Sequence, residues 1–113
     1  DLSRVLSGGD PRTTLMVRNI PNKYTQKMLL AAVDGALAGG YDFFYLPIDF
    51  KNKCNVGYAF INVTKPALIE PLVRRFHGKR WDRFNSEKVC AITYARIQGK
   101  AALVAHFQHS SLL

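Results

Sequence analysis

The chain has 113 residues, 48% of them hydrophobic, which is enough to bury one core and predicts a single domain. This composition excludes disordered and collagen-like chains, and the apolar runs are too short to span a membrane, so no membrane role is expected. Sixteen Lys and Arg against eight Asp and Glu give a net charge of +8, all of it within residues 51–113, which favours a polyanionic partner such as nucleic acid over a merely solubilising surface.

The N-terminal part begins with a leader over residues 1–12, whose glycines and proline are typical of a flexible segment. Residues 13–20 form a short apolar run with alternating character, which predicts a first strand. Thr25 is placed to cap a helix that continues to Leu37, with apolar residues at spacings of three and four. Gly39 and the glycine that follows it predict the end of this helix.

The middle of the chain predicts two more strands. Residues 41–48 are rich in aromatic side chains and favour a second strand, and residues 49–56 predict a polar loop that carries Lys51 and Lys53. Ala59, Ile61 and Val63 alternate with Tyr58, Phe60 and Asn62 along residues 57–63. We therefore expect a third strand with one face buried.

The C-terminal part predicts a helix, a strand and a further helix. Apolar residues at helical spacing favour a second helix between Pro66 and His77, but Pro71 does not suit a helix interior and predicts a late start or a kink. Residues 89–94 predict the fourth strand, and residues 98–108 predict a third helix.

The order strand, helix, strand, strand, helix, strand predicts an α+β domain of the ferredoxin-like, split-βαβ class. Such a domain is a four-stranded antiparallel sheet with two helices on one face, here followed by a C-terminal third helix. We assign the domain to residues 13–95 and a C-terminal extension helix to residues 96–113. Because the two helices cover only one face of the sheet, the other face is where function is expected.

The uncovered face carries apolar and aromatic side chains where polar ones are expected. Rings on such a surface stack on unpaired bases while nearby Lys and Arg hold phosphates, which is typical of single-stranded RNA binding. The alternative is that the terminal helix lies across this face and buries it. The outward residues predicted by strand alternation are Met16, Arg18, Phe43, Tyr45, Tyr58, Phe60 and Asn62.

Two short motifs lie on the strands expected at the centre of the sheet. Residues Val56–Val63 resemble the RNP octamer of RNA recognition motifs, and residues Leu15–Ile20 resemble its companion hexamer. By this resemblance Tyr58 and Phe60 occupy the base-stacking positions of the octamer. A valine replaces the basic residue that opens the octamer, and Met16 replaces an aromatic residue of the hexamer. We therefore expect the phosphate contact at this position to be lost or to move to Lys51 or Lys53, and one base to pack on the Met16 thioether.

The resemblance to one family extends beyond these motifs, over nearly the whole chain. Five ungapped stretches are similar to the C-terminal RNA recognition motif of the mei-two-like proteins: Arg18–Thr25, Tyr45–Asn62, Phe84–Val89, Thr93–Lys100 and Ala105–Gln108. That family comprises fungal, plant and algal RNA-binding proteins of meiotic entry and development. The resemblance implies single-stranded RNA as the partner, with the terminal helix as a family addition to the standard domain.

The candidate RNA-binding residues fall into groups by their chemistry. Those expected to stack on bases are Met16, Tyr45, Tyr58 and Phe60. Those expected to read base edges are Asn62 and Gln98. Those expected to hold phosphates are Arg18, Lys51, Lys53, Arg96 and Lys100. Further candidates in the loop after the first strand are Asn19 and Lys23, although Asn19 equally suits a turn in which it bonds local backbone.

The main alternative function is a protein-interaction domain of the same fold. Its sheet face would be covered by the terminal helix, and that helix would mediate contact with a protein partner or self-association. Trp81 and Phe84 lie among basic residues and form a candidate second nucleic-acid patch, but a lone tryptophan is usually well buried, so Trp81 is expected rather to anchor its long loop on the domain.

No enzyme, metal site or cofactor is predicted. His77, His106 and His109 lack a carboxylate pair for catalysis, and the two histidines of the last helix lack further metal ligands. Cys54 and Cys90 are too few for a disulfide framework and favour a reducing, intracellular location in the nucleus or the cytoplasm. Because the chain begins with an aspartate, we expect a fragment of a longer protein.

Overall fold

The computed structural model describes residues 7–108, which contain a four-stranded sheet, a short hairpin and three α-helices. The strands are β1 (Thr14–Arg18), β2 (Tyr41–Tyr45), β3 (Ile48–Asp49), β4 (Cys54–Asn55), β5 (Tyr58–Val63) and β6 (Ala91–Tyr94). The helices are α1 (Gln26–Leu37), α2 (Ile69–Phe76) and α3 (Lys100–Phe107), and a 3-10 turn (Pro66–Leu68) leads into α2. Within residues 7–108, no helix has the length and apolar character needed to cross a membrane.

The sheet has the strand order β2-β5-β1-β6, and all neighbouring strands are antiparallel. This confirms the α+β, split-βαβ class and the central position of the first and third predicted strands. β1 pairs with β5 so that Met16 lies opposite Phe60 and Arg18 lies opposite Tyr58. These four side chains therefore share one face of the sheet, as their alternation predicts.

Helices α1 and α2 pack on the opposite face and enclose the core. Leu15 and Val17 of β1 and Ile61 of β5 are at most 3% exposed. The buried helix residues that complete the core are Leu29, Val33, Leu37, Ile69 and Leu72. Removing a buried leucine from such a core lowers the free energy of unfolding by about 2–5 kcal/mol, so this face of the sheet contributes to stability. The opposite face is the one that remains for binding.

The helix ends follow from local chemistry. The Thr25 hydroxyl accepts a hydrogen bond from the Met28 N–H at 3.1 Å, which confirms the predicted N-cap of α1. The C-cap is Ala38, whose φ of 51° is left-handed, one residue before the predicted Gly39. Pro71 is the third residue of α2, where a missing N–H breaks no helical bond, so the predicted late start is confirmed.

The segment predicted as a polar loop contains the hairpin β3–β4 instead. β2 ends at Tyr45, before Pro47, which has no N–H to donate to a strand ladder. The hairpin turn is fixed by Asp49, whose carboxylate accepts hydrogen bonds from the Lys51 N–H at 3.0 Å and from Asn52 Nδ2 at 2.8 Å. The loop prediction was wrong here because strands of two residues are too short to show alternation.

The last two elements begin later than predicted. β6 begins at Ala91 because Val89 pairs instead with Arg80 in an isolated bridge. α3 begins at Lys100 because Gly99 has a φ of 93°, which lies outside the helical region.

The end of the predicted leader packs against β6. Asp10 is buried and forms an ion pair with Arg12 at 2.7 Å, and the Arg12 guanidinium lies 3.7 Å from the centre of the Tyr94 ring. The earlier part of that leader, residues 1–6, lies outside the described residues. Residues 10–12 therefore contribute to the edge of the domain.

Candidate nucleic-acid interface

The uncovered face of the sheet carries the aromatic pair that strand alternation predicts. Tyr58 is 36% exposed, and its ring meets the Phe60 ring edge-on, with centroids 5.8 Å apart and an interplanar angle of 88°. Tyr45 of β2 lies opposite Phe60, while Met16 and Arg18 flank the pair on β1. Adjacent rings in the middle of a sheet form a surface on which flat ligands can stack.

Helix α3 covers one half of this face through a single ring. The centroid of Phe107 lies 4.7 Å from that of Tyr45 and 5.1 Å from that of Phe60. Phe107 also stacks on Phe43, with centroids 6.2 Å apart and ring planes within 19° of parallel. The β2 side of the face is therefore covered, as the alternative with a helix across the sheet anticipates.

The other half of the face forms a groove over β1 and β6, here called the open groove, with a volume of about 420 Å³. Its lining residues are Met16, Arg18, Phe60, Thr93, Tyr94, Ala95, Arg96 and Ile97. Arg18 and Arg96 are exposed and supply positive charge, and among the described residues no acidic side chain lines the groove. The open groove therefore suits a ligand with flat rings and negative charges.

Asn62 lies on the same face, but the prediction that it is exposed is wrong. It is only 5% exposed, and its Oδ1 accepts hydrogen bonds from the hydroxyls of Thr13 and Thr14, both at 2.7 Å. Its Nδ2 donates to the Asp42 carboxylate at 2.8 Å. These bonds join β5 to both neighbouring strands, so the Asn62 amide serves the sheet and is not placed to read a base edge.

Gln98, also predicted to read base edges, instead forms four hydrogen bonds within the protein. Its Oε1 accepts from the N–H groups of Thr13 at 3.2 Å and Thr14 at 3.0 Å. Its Nε2 donates to the carbonyls of Thr14 at 2.9 Å and Ala95 at 2.8 Å. The next residue, Gly99, donates its N–H to the Thr14 hydroxyl at 2.7 Å. This set of contacts, here called the amide clamp, fixes the chain just before α3.

The predicted phosphate contacts lie in three places. Arg18 and Arg96 line the open groove. Lys51 and Lys53 are exposed on the turn of the β3–β4 hairpin, and Lys100 is exposed in the first turn of α3. The structure thus brings two of the five cations into the groove, and the other three lie outside it.

The hairpin also presents Phe50, which the sequence interpretation missed. Its side chain is 65% exposed, next to Lys51 in the turn. The signal was an aromatic residue standing within a run of polar and charged residues. A prediction of a loop gives no reason to single out one of its side chains.

Asn19 has a structural role in the loop after β1. Its φ of 63° is left-handed, its side-chain amide donates to the Val89 carbonyl at 2.9 Å, and its own carbonyl accepts from Trp81 Nε1 at 2.8 Å. Trp81 is 7% exposed and packs against Tyr24, with centroids 5.3 Å apart, which confirms the predicted loop anchor. Lys23 lies in the same loop and is exposed.

Two groups with strongly raised pKa values lie away from the open groove. Burial raises the pKa of Cys90 to about 12, and burial together with the hydrogen bond to Asp34 raises the pKa of Tyr41 to about 12. No group of three His, Cys, Asp or Glu that could hold a metal ion is present in the part of the chain that the structure describes, which includes His106 but not His109. Burial within the fold, with Asp34 beside Tyr41, accounts for both raised pKa values.

Comparison with known sequences connects this geometry to a family. The family model described as RNA recognition motif 2 matches residues 12–108. The protein MEI2-like 3 of Arabidopsis thaliana is 67% identical over all 113 residues, which are 15% of its length. The protein MEI2-like 4 of Oryza sativa subsp. japonica is 66% identical over the same residues, which are 11% of its length. The chain therefore spans a small fraction of these relatives.

Comparison with solved structures supports the same fold. The structure of the Rna15 RRM with bound RNA (GU) superposes with a TM-score of 0.67 at 17% identity, over 88% of this chain and 100% of that chain. The complex of the sex-lethal protein with RNA superposes with a TM-score of 0.62 at 24% identity, over 79% of this chain and 50% of that chain. At these identities the likeness concerns the fold alone.

Proposed function

The chain belongs to the RNA recognition motif 2 family, and from that premise we propose that it is a non-catalytic module of a MEI2-like protein that binds single-stranded RNA. The name of the family and the RNA bound to two structural neighbours support this proposal. We also propose that the longer protein acts in meiosis and development, in the nucleus or the cytoplasm. This role stays a proposal because the chain spans only 15% of the length of MEI2-like 3.

The observation that carries the proposal is the pair of rings, Tyr58 and Phe60, on the outer face of the sheet beside the open groove, which Phe60 and two exposed arginines line. The rings of Tyr58 and Phe60 stack on successive bases, each stack contributing about 1–3 kcal/mol. The Met16 thioether covers a further base face. Arg18 and Arg96 hold the phosphates of the same strand, since both line the groove.

The outer cations extend the binding surface beyond the open groove. Lys51, Lys53 and Lys100 are exposed and attract the phosphate backbone without reading the bases. Tyr45 becomes a stacking position only when the Phe107 ring moves aside. With the Phe107 ring in place, RNA binding therefore uses Tyr58, the part of Phe60 that lines the open groove, and strands β1 and β6.

The proposal is tested by titrating the chain with a randomised single-stranded RNA pool and a matched DNA pool at two salt concentrations. With about three to five phosphates engaged, log affinity should fall with log salt with a slope of roughly −2 to −3.5, and RNA should bind more tightly than DNA. Binding that does not depend on salt, or that is absent for RNA, contradicts the proposal.

The Phe107 contacts favour a second candidate, a protein-interaction domain whose sheet face is closed by α3. In that case the helix or the covered face serves a protein partner or self-association, and RNA binding is weak. The same titration separates the two candidates, because a closed domain shows little RNA binding until Phe107 is removed.

A further inference from the structure

A second groove lies at the end of the sheet where β1 finishes, and it is here called the loop groove. Its volume is about 520 Å³. Its lining residues come from the loop after β1 and the loop before β6: Pro21, Asn22, Lys23, Phe84, Ser86 and Lys88. The loop groove lies at the end of β1, where the Ile20 N–H donates to the carbonyl of Gly57 at 3.0 Å, and Gly57 directly precedes Tyr58 in the chain.

Phe84 gives the loop groove an exposed aromatic ring. Its side chain is 43% exposed, and its ring meets that of Tyr24 edge-on, with centroids 5.5 Å apart at 76°. Phe84 and Asn85 have φ values of 67° and 47°, a left-handed conformation that asparagine adopts readily but that is rare for a bulky residue such as Phe84. The fold thus holds a ring toward solvent on a strained backbone, and strained residues are concentrated at ligand sites.

Two lysines give the loop groove its positive charge. Lys23 is exposed, and Lys88 Nζ donates to the Ile20 carbonyl at 3.3 Å, which keeps the ammonium group at the groove. The neighbouring acid, Glu87, lies 3.9 Å from the Arg80 guanidinium. No acidic side chain lines this groove among the described residues, so its charge complements a phosphate.

From these contacts we propose that the loop groove is a second RNA subsite, which takes one nucleotide of a strand that continues past Tyr58. The base stacks on Phe84, and its phosphate lies between Lys23 and Lys88. This inference rests on the proposed function, since the strand is the one bound in the open groove. An acidic peptide would use the two lysines but has no flat group for the exposed ring, so the combination favours a nucleotide.

The test compares two randomised single-stranded RNA pools, of about 3 and about 12 nucleotides, because three bases already occupy the stacking positions at Tyr58, Phe60 and Met16 and leave none for the loop groove. Fluorescence anisotropy gives the affinities of the unchanged chain, Phe84→Leu and Lys23→Glu. The matched control is Lys65→Glu, which makes the same charge change at an exposed position just after β5, at the far end of that strand. Phe84→Leu keeps an apolar contact with Tyr24, and thermal unfolding verifies that each variant is folded.

The inference predicts that Phe84→Leu and Lys23→Glu each weaken binding of the longer pool about fivefold or more and leave the shorter pool unchanged. Lys65→Glu should alter both pools by a similar, smaller factor. Equal losses for both pools, or no loss for either, overturn the inference, and the second result is the one expected of a peptide site. If Tyr58→Ala weakens both pools while Phe84→Leu weakens neither, only the loop groove fails; if Tyr58→Ala affects neither pool, the open groove fails and this inference falls with it.

Discussion

At the scale of single residues, Gln98 is a polar side chain whose loss should reduce stability. Gln98→Ala removes the acceptor of the Thr13 and Thr14 N–H groups, while the Thr14 carbonyl keeps its hydrogen bond from the Ala95 N–H. We expect the free energy of unfolding to fall by about 2–3 kcal/mol, because unsatisfied buried backbone groups are costly. Urea denaturation measures this change.

Gln26→Ala is the matched control for this prediction, because Gln26 is exposed at the start of α1. It should change the free energy of unfolding by less than about 0.5 kcal/mol. A Gln98→Ala variant that loses RNA affinity but keeps its full stability would show that the side chain serves the ligand and not the fold.

A pH dependence follows from Cys90 and Tyr41. Burial raises the pKa of Cys90 from 9.0 to about 12, and burial and Asp34 raise that of Tyr41 from 10.0 to about 12. Both groups ionise more easily in the unfolded chain, so stability is complete below about pH 9 and falls as the pH rises toward 12. Urea titrations at increasing pH measure the fall, and Cys90→Ala should make it smaller. An unchanged free energy of unfolding between pH 9 and 12 contradicts this.

Single-residue predictions from the sequence were reliable where a strand's own pattern decides the outcome. Alternation along β5 placed Tyr58 and Phe60 on the outer face without knowledge of any neighbour. The same pattern could not show that Asn62 is buried, because its partners come from two other strands. Gln98 was misassigned for the same reason, since it bonds the start of β1, 84 residues away.

At the scale of elements, α3 should control access to the β2 side of the sheet. Phe107→Ala removes the ring that lies on Phe43, Tyr45 and Phe60, and it uncovers a further stacking position. We expect RNA affinity to rise about threefold or more, because an added base stack contributes about 1–3 kcal/mol, part of which offsets the loss of order in α3. Fluorescence anisotropy with the randomised RNA pool measures the change.

Val104→Ala is the control for the Phe107 prediction. Val104 lies on the same helix and is 42% exposed, so its truncation should leave RNA affinity unchanged. A loss of affinity in Phe107→Ala alone is the opposite result, and it would mean that the ring contacts the RNA directly.

The elements that could be predicted are those with local signals of their own. The Thr25 cap and the apolar stripe of α1 defined a helix, and the position of Pro71 defined the late start of α2. The β3–β4 hairpin was missed because its strands are too short for a period, and its turn depends on the Asp49 side chain. The start of α3 was misplaced because Gly99 has a left-handed φ that no pattern reveals.

At the scale of the whole molecule, structure and charge divide the sheet into two functions. The face under α1 and α2 holds the core, while the opposite face is covered by Phe107 on its β2 side and open over β1 and β6, where two arginines line the groove. The fold class and the existence of an outer aromatic face followed from the order of elements and from the resemblance. The division of that face did not, because it depends on how α3 docks across strands that are distant in the sequence.

The measurement that tests the account most directly is the RNA affinity of the Tyr58→Ala/Phe60→Ala double variant. Val104→Ala is its control, since Val104 is 42% exposed on α3 and carries no ring. Loss of two base stacks should weaken binding by about 2 kcal/mol or more, while the control should stay close to the unchanged chain. A change of less than about 0.3 kcal/mol in the double variant, with the fold intact, would contradict RNA binding on the open face of the sheet.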